Sequence, residues 1–569
     1  MDYKSNIAKL IKIDGLTEND VASMMMNVKD ITMGDYCLPC FRFAKTLRKA
    51  PQLIAEEIAS TIDLSVAPYL SKVEAVAGYL NFTVNKAFFA QNTIDRILKE
   101  GEAYGEDKVG EGKTICIDYS SVNIAKPFHI GHLLTTVIGG ALYPIYKKLG
   151  YNVVGINHLG DWGTQFGKLI SAYKRWGTRE QIEQGSIRAL LDLYVKFHDE
   201  AEKDPALEEE GRYYFKKIED GDTEALELFS WFKEVTLREV GKVYDRLGIK
   251  FDSYAGESFY NDKMDAPLRA LKDKGLLVES DGAEVVQLDD YSMPPCLLRK
   301  ADGATLYATR DIAAAIYRKD TYDFDKCLYV VAYQQNLHFK QFFKVIELMG
   351  HEWAKDLVHV AFGMVSLLDD DGNPVSLSTR HGRVVFLEEV LDNTVRKARS
   401  IIEQKNPDLE GKDEIAENIG VGAVIYSALY ASRIKDMTFS YDRVLNFDGE
   451  TGPYVQYTYA RCNAVLQKAP LNDSLPDYSA LTSIEADELI RLLERYPQVI
   501  KEAGDKYEPS MVTRLVTDIA SQYNKFYYQE RIIGGDKGAE KARLNLTKAT
   551  MQVIYNAFEL LGIKTVDRM

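Results

Sequence analysis

Lys126, His129 and His132 fall in one short stretch, Ala125-Lys126-Pro127-Phe128-His129-Ile130-Gly131-His132. Histidines three apart share one side of a helical turn. Gly131 between them leaves room for something to lie against the backbone, and Lys126 adds a positive charge three residues upstream. Two imidazoles and an ammonium converging in this way suit stabilisation of charge on a phosphoryl group during displacement at phosphorus. Spaced histidines also ligate zinc, but the neighbouring lysine and the lack of a nearby Cys, Asp or Glu as third ligand weaken that reading. A pair of merely capping histidines is the bland alternative.

The elements around this stretch favour chemistry. Thr114 to Tyr119 is a short apolar run suited to a buried strand, Leu133 to Leu149 has helical spacing closed by Gly150, and Asn152 to Asn157 reads as the next strand. A βαβ unit of this kind predicts a parallel sheet, and its first loop lies where open α/β sheets bind ligands and helix N-termini hold phosphate. Charged helical segments replace strands from about 168 to 250, a helical insertion. Strand patterns return at Cys327 to Ala332 and Leu357 to Val365, flanking a helix over Phe339 to Met349, and from about Leu387 onward the pattern is helical. Before Gly112, helical spacing at Pro51 to Ile62 and Lys86 to Glu100 brackets strand-like alternation over Leu70 to Val84. The expected fold is therefore α/β: a Rossmann-like parallel-sheet catalytic domain over 109–400 carrying the insertion, an α+β N-terminal domain over 1–108 and an all-α C-terminal domain over 401–569.

The chain has 569 residues, 46% hydrophobic and 27% charged, with net charge −15. Acidity argues mildly against nucleic-acid binding, although a basic face can sit on an acidic body. No apolar run is long enough for a membrane span, and Met1-Asp2-Tyr3-Lys4-Ser5 does not open a secretion signal, so a cytoplasmic protein is expected. Six cysteines form no disulfide framework. The Cys37–Cys40 pair has redox spacing but no zinc-ribbon partner, and two semi-buried thiols are the simpler reading.

His129-Ile130-Gly131-His132 after a strand resembles the first signature of class I aminoacyl-tRNA synthetases, an element shared with related nucleotidyltransferases. Ser121 to Phe128 before it, Asn157 to Gly167 after it, Thr305 to Asp311, Val330 to Gln335 and Phe447 to Tyr457 are similar to the arginyl-tRNA synthetase family specifically, in the family's order along nearly the whole chain. In the second signature loop, Ser378, Thr379, Arg380 and Gly382 follow the family, while His381 stands where the phosphate-binding lysine is expected. Many arginyl enzymes lack that lysine and rely on one before the first signature, the position of Lys126.

The resemblance implies that ATP meets Lys126, His129, Gly131, His132, Ser378, Thr379, Arg380 and His381. It implies that L-arginine meets Ser121, Val122, Asn123, His132, Asn157, Tyr307, Asp311 and Gln335. A carboxylate is the natural bidentate partner of a guanidinium, which suits Asp311; read alone, Asp311 is an ordinary helix N-cap. Lysine leaves such a site's acceptors unpaired, so no editing domain is expected. For tRNA(Arg), the resemblance implies Gly449, Glu450, Thr451, Gly452, Tyr454, Gln456 and Tyr457 in the C-terminal domain, with Tyr79 and Asn81 in the N-terminal one. It also implies that tRNA binds before the adenylate forms. The expected cofactors are ATP and Mg2+, with no resident metal, DNA or membrane, on a monomer.

Overall fold

The computed structural model describes residues 3–28, 33–301, 303–368, 374–375 and 385–569. They form two compact units: Met1–Tyr104 with Arg461–Arg495 and Asp518–Val553, and Gly105–Ala460 with Tyr496–Thr517 and Ile554–Met569.

The first unit contains a four-stranded antiparallel sheet, in the order Met26–Asn27, Tyr36–Pro39, Tyr79–Val84, Leu70–Val76. Two helices accompany it, Pro51–Thr61 and Lys86–Glu100. Pro51 opens the former, where its missing N–H costs nothing. The latter is capped by the Asn85 side chain and buries Phe89, Ala90, Ile94 and Ile97. Helical segments from the last third of the chain complete the unit, and Arg491 pairs there with Asp35 at 2.8 Å. Cys37 and Cys40 are buried, free thiols; burial raises both, Cys40 to about 11.

The second unit is organised by four parallel strands, β1 (Thr114–Asp118), β2 (Asn152–Ile156), β3 (Lys326–Tyr329) and β4 (Leu357–His359), in the order β4-β3-β1-β2. β1 therefore lies inside the sheet, which explains its unbroken apolar run. Helix α1 (Leu133–Lys148) crosses from β1 to β2. The insertion consists of α2 (Thr164–Trp176), α3 (Arg179–Ala201), α4 (Ala206–Glu219) and α5 (Thr223–Leu247). Helices α6 (Tyr307–Tyr322) and α7 (Asn336–Leu348) bracket β3. The α/β class expected from the sequence is the one observed.

Three details differ from the sequence reading. A three-stranded antiparallel sheet, Leu277–Ser280, Ala283–Val286 and Cys296–Arg299, precedes α6; its strands are too short and polar to show in the pattern. The run from Leu357 to Val365 is two strands in different sheets, because the chain leaves the parallel sheet after His359. Val365–Leu368 pairs instead with Met437–Phe439, a strand in the otherwise helical last third.

At the end of β1, Asp118 Oδ2 meets Arg318 Nη2 of α6 at 2.8 Å, with side chains 7% and 1% exposed. Two other guanidinium nitrogens of Arg318, Nε and Nη1, have no hydrogen-bond partner, and the group lies 5.4 Å from the Tyr329 ring. Removing one member of such a pair strands the other's charge. Arg318→Met should therefore lose about 3–5 kcal/mol in urea denaturation, and adding Asp118→Asn should recover part of it. A loss near zero would mean that water reaches Asp118.

Candidate active site

The loop after β1 is built under strain. Ser120, Ser121 and Ala125 all have positive φ, at 71°, 47° and 58°, a conformation costly for residues with a Cβ and found where surroundings over-determine it. Those surroundings are mostly hydroxyls. Ser120 N–H donates to Thr135 Oγ1 at 3.0 Å, and its hydroxyl lies 2.9 Å from Thr136 Oγ1 and 2.7 Å from the Tyr244 hydroxyl. Ala125 N–H donates to Thr236 Oγ1 at 3.1 Å. Tyr244 and Thr236 belong to α5, so the insertion supports the loop from below. Ser121 Oγ donates to Asp118 Oδ1 at 2.9 Å. Val122 is buried, while Asn123 is exposed and its side chain lies over Gly160; a Cβ there would come within 2.3 Å of Asn123 Oδ1.

His129 and His132 end on the same side of a 3-10 turn, ring centroids 4.1 Å apart. They do cap the turn, and capping is what orients them. His129 Nδ1 accepts from Gly131 N–H at 3.0 Å, so in the neutral ring the proton is on Nε2. His132 Nδ1 lies 3.3 Å from His129 N and 3.2 Å from His129 O. The space at Gly131 is filled by His129's own ring, which a Cβ would approach to 2.7 Å. Burial lowers the pKa of both imidazoles, His132 to about 3 with His129 adding to the effect. At neutral pH they are uncharged hydrogen-bonding groups, and Lys126 lies half-buried in the same stretch. Ile130 N–H donates to Val385 O and Leu387 N–H to Phe128 O, at 3.1 and 2.9 Å. Ser378, Thr379, Arg380 and His381 lie outside the described residues.

Helix α6 opens with Tyr307, 67% exposed, and carries Asp311, a quarter exposed, one turn on. Gln335 is exposed in the turn before α7. Asn157 is different: it is fully buried, donates from Nδ2 to the Tyr244 hydroxyl at 3.0 Å, and keeps an unpartnered Oδ1. It sits beneath the crevice, where it braces α5.

Sequence reasoning missed Glu257. The chain leaving α5 runs beside β2, where Asn157 N–H donates to Ser253 O at 2.9 Å, and then bends at Gly256. There Asp161, wholly buried, accepts from Lys233 Nζ (2.6 Å), Ser258 N–H (2.9 Å) and Ser258 Oγ (2.8 Å). That clamp holds Glu257, whose carboxyl is raised to about 7 by burial, against the pull of Arg310 and Lys126, with Asp311 and Asp161 adding to the rise. Glu257 thus lies within electrostatic reach of both Lys126 and Asp311. Arg310 beside it has a buried Nε without a partner. No periodic pattern surrounds Glu257 in the sequence, so only the fold reveals it. His158 lies in the same crevice, 3.4 Å from Arg318 Nη2.

The residues expected to meet RNA fall into two classes. Tyr79 is 39% exposed against Phe41 at 51%, their rings 5.2 Å apart, and Tyr457 is 40% exposed. Gly449 and Glu450 are exposed in a turn, and Thr451 caps the helix beginning at Gly452, accepting from Tyr454 N–H at 3.3 Å. Asn81 and Gln456 are buried, and Gly452 packs closely on Tyr426. Gln456 Nε2 donates to the carbonyls of Asn418 and Lys564.

Glu257 sets a stability test. Below about pH 4.5 the carboxyl is protonated in folded and unfolded chains alike; between there and about 7 the folded chain resists ionisation, so wild-type stability falls as pH rises. Ligand-free Glu257→Gln should match the wild-type melting temperature at pH 4 and exceed it at pH 8. Equal values at pH 8 would mean that Glu257 ionises freely.

Comparison with known proteins covers the whole chain. Family models match in order: arginyl tRNA synthetase N terminal domain at residues 2–84, tRNA synthetases class I (R), catalytic domain at 93–441, and DALR anticodon binding domain at 455–569. Arginine–tRNA ligases of Clostridium botulinum (strain Alaska E43 / Type E3) and Halothermothrix orenii are 54% and 51% identical, with all of each chain covered. Among solved structures, Thermus thermophilus arginyl-tRNA synthetase superposes with TM-score 0.77 at 24% identity, covering 96% of both chains. The Plasmodium falciparum enzyme superposes with TM-score 0.75 at 24% identity, covering 96% of this chain and 94% of its own. At those identities the structures speak for the fold.

Proposed function

Because the chain belongs to the class I arginyl-tRNA synthetases, we propose that its crevice joins L-arginine to tRNA(Arg) in two steps driven by ATP. What supports this reading is the whole-chain match to arginine–tRNA ligases together with the setting of Glu257, whose carboxyl feels both Lys126, which we assign to phosphate, and Asp311, which we assign to the guanidinium.

In the first step, arginine's carboxylate attacks the α-phosphate of Mg2+–ATP, the α-phosphorus–oxygen bond to pyrophosphate breaks, and arginyl-adenylate forms. Lys126 meets the negative charge that grows on the phosphate oxygens. His129 Nε2–H and the His132 ring are oriented for hydrogen bonding to the same group, an arrangement that needs no reorganisation at the moment of reaction. Asp311 and Glu257 take the guanidinium. A cation beside Glu257 draws its proton off, so arginine binding is coupled to proton release in the range where Glu257 titrates. In the second step, a terminal ribose hydroxyl of the tRNA attacks the arginyl carbonyl and AMP leaves. Most of the acceleration comes from positioning and electrostatics.

The exposed aromatic pair Phe41 and Tyr79, and the turn Gly449 to Gly452 with Tyr454 and Tyr457, are the surfaces we assign to tRNA, since exposed rings suit stacking on unpaired bases. The buried positions Asn81 and Gln456 shape those surfaces from beneath. Magnesium would enter with the nucleotide as its substrate complex, and the resemblance assigns Ser378 to His381 to ATP. The reading takes the enzyme as a cytoplasmic monomer; no helix among the described residues is long and apolar enough to cross a membrane.

Lys126→Ala should depress ATP–pyrophosphate exchange roughly 10²-fold while leaving arginine affinity, measured by calorimetry, nearly unchanged. Unaltered exchange would remove Lys126 from the chemistry. Charging of total tRNA with labelled arginine, with lysine as control, tests the reaction itself.

A further inference from the structure

Asp311 does not stand alone in the crevice. His338, on the first turn of α7, brings Nε2 to 2.6 Å from Asp311 Oδ2. The carboxylate accepts, so the imidazole donates. Both side chains are about a quarter exposed, 26% for His338 and 25% for Asp311. The imidazole is itself held, with the rings of Phe339 and Phe342 at 5.5 and 5.3 Å and Phe342 fully buried. His338 lies three residues beyond Gln335, on the same turn.

A carboxylate has about four acceptor sites, and its terminal torsion is broad and nearly two-fold. An unrestrained Asp311 would sample many orientations of its oxygen plane, whereas a guanidinium needs both acceptors in its own plane. A single donor on Oδ2, held by edge-on and tilted aromatic contacts, removes that freedom and leaves Oδ1 and the second lone pair of Oδ2 for the ligand. We propose that His338 is a positioning residue for guanidinium recognition, fixing the plane of the Asp311 carboxylate so that its free edge meets the two-pronged donor of the substrate. This rests on the reading of Asp311 as arginine's partner.

The test uses the full-length enzyme with tRNA present, measuring KM for arginine and for ATP separately by pyrophosphate exchange. His338→Phe keeps the ring packing without the donor, His338→Gln restores an N–H at similar reach, and Asp311→Asn is the control. His338→Phe is expected to raise KM for arginine about tenfold with KM for ATP unchanged, and His338→Gln to recover most of that loss. If Asp311→Asn raises KM for arginine and His338→Phe does not, the role of His338 is overturned and that of Asp311 stands. If Asp311→Asn leaves KM for arginine unchanged, the reading of Asp311 fails and this inference with it. A parallel rise in both KM values, a fall in kcat alone, or a Gln variant as impaired as Phe would reduce His338 to a packing residue. Should His338→Phe not fold, His338→Asn, whose shorter amide stops short of Oδ2, replaces it with the same expected rise.

Discussion

A carboxylate and a guanidinium sealed from water at the end of a central strand keep the crevice in one piece. Asp118 gives one oxygen to the Ser121 hydroxyl, at the start of the strained loop, and the other to Arg318 on α6. Arg318 follows Asp311 by seven residues, two helical turns along the same face. The loop that presents Lys126 and the histidines and the helix that presents Tyr307 and Asp311 are thus referenced to one charge pair. Burying that pair is expensive; the fold tolerates it where two catalytic elements must keep a fixed distance.

The charges facing the crevice are few and each is constrained. Neutral imidazoles accept backbone N–H groups on one edge. Glu257 keeps a proton within easy loss, and Asp161, deeper, is already satisfied by Lys233 and Ser258. On the function proposed above, an arriving guanidinium would meet the carboxyls of Asp311 and Glu257, whose planar geometry a compact ammonium does not match. On that same proposal, lysine would leave acceptors unpaired.

The fold was readable wherever period and punctuation agreed. Lys86–Glu100, with Asn85 and Gly101 at its ends, is a helix over the residues expected, and β1, α1 and β2 fall within a residue or two of their sequence limits. The short polar strands around Val278 and Glu284 were not readable, because pairing with neighbours rather than local pattern makes them strands. In the site, the histidines announced themselves by spacing. Applied to Gln335, the same three-residue rule would have found His338. Glu257 carries no such signal: it reaches the crevice because Gly256 lets the chain turn against Asp161, where a Cβ would come within 2.5 Å of Oδ1. Asn157 shows what the motif alone did not: a fully buried amide that braces α5 through the Tyr244 hydroxyl and keeps one oxygen unpartnered.

The dependence of the strained loop on α5 has a consequence for biosynthesis. Ser120 and Ala125 are held by Tyr244 and Thr236, contacts that close over 124 and 111 residues of chain. On a ribosome adding about 5–20 residues each second, the loop emerges many seconds before the hydroxyls that hold it. Until then Ser120 has the Thr135 and Thr136 hydroxyls of α1 but not that of Tyr244, and Ala125 lacks its Thr236 acceptor, so a nascent chain truncated before α5 should fold its first strand and helix beside an incompletely supported loop. The loop that carries the signature residues is therefore completed by a helix from an insertion, long after those residues themselves have been made.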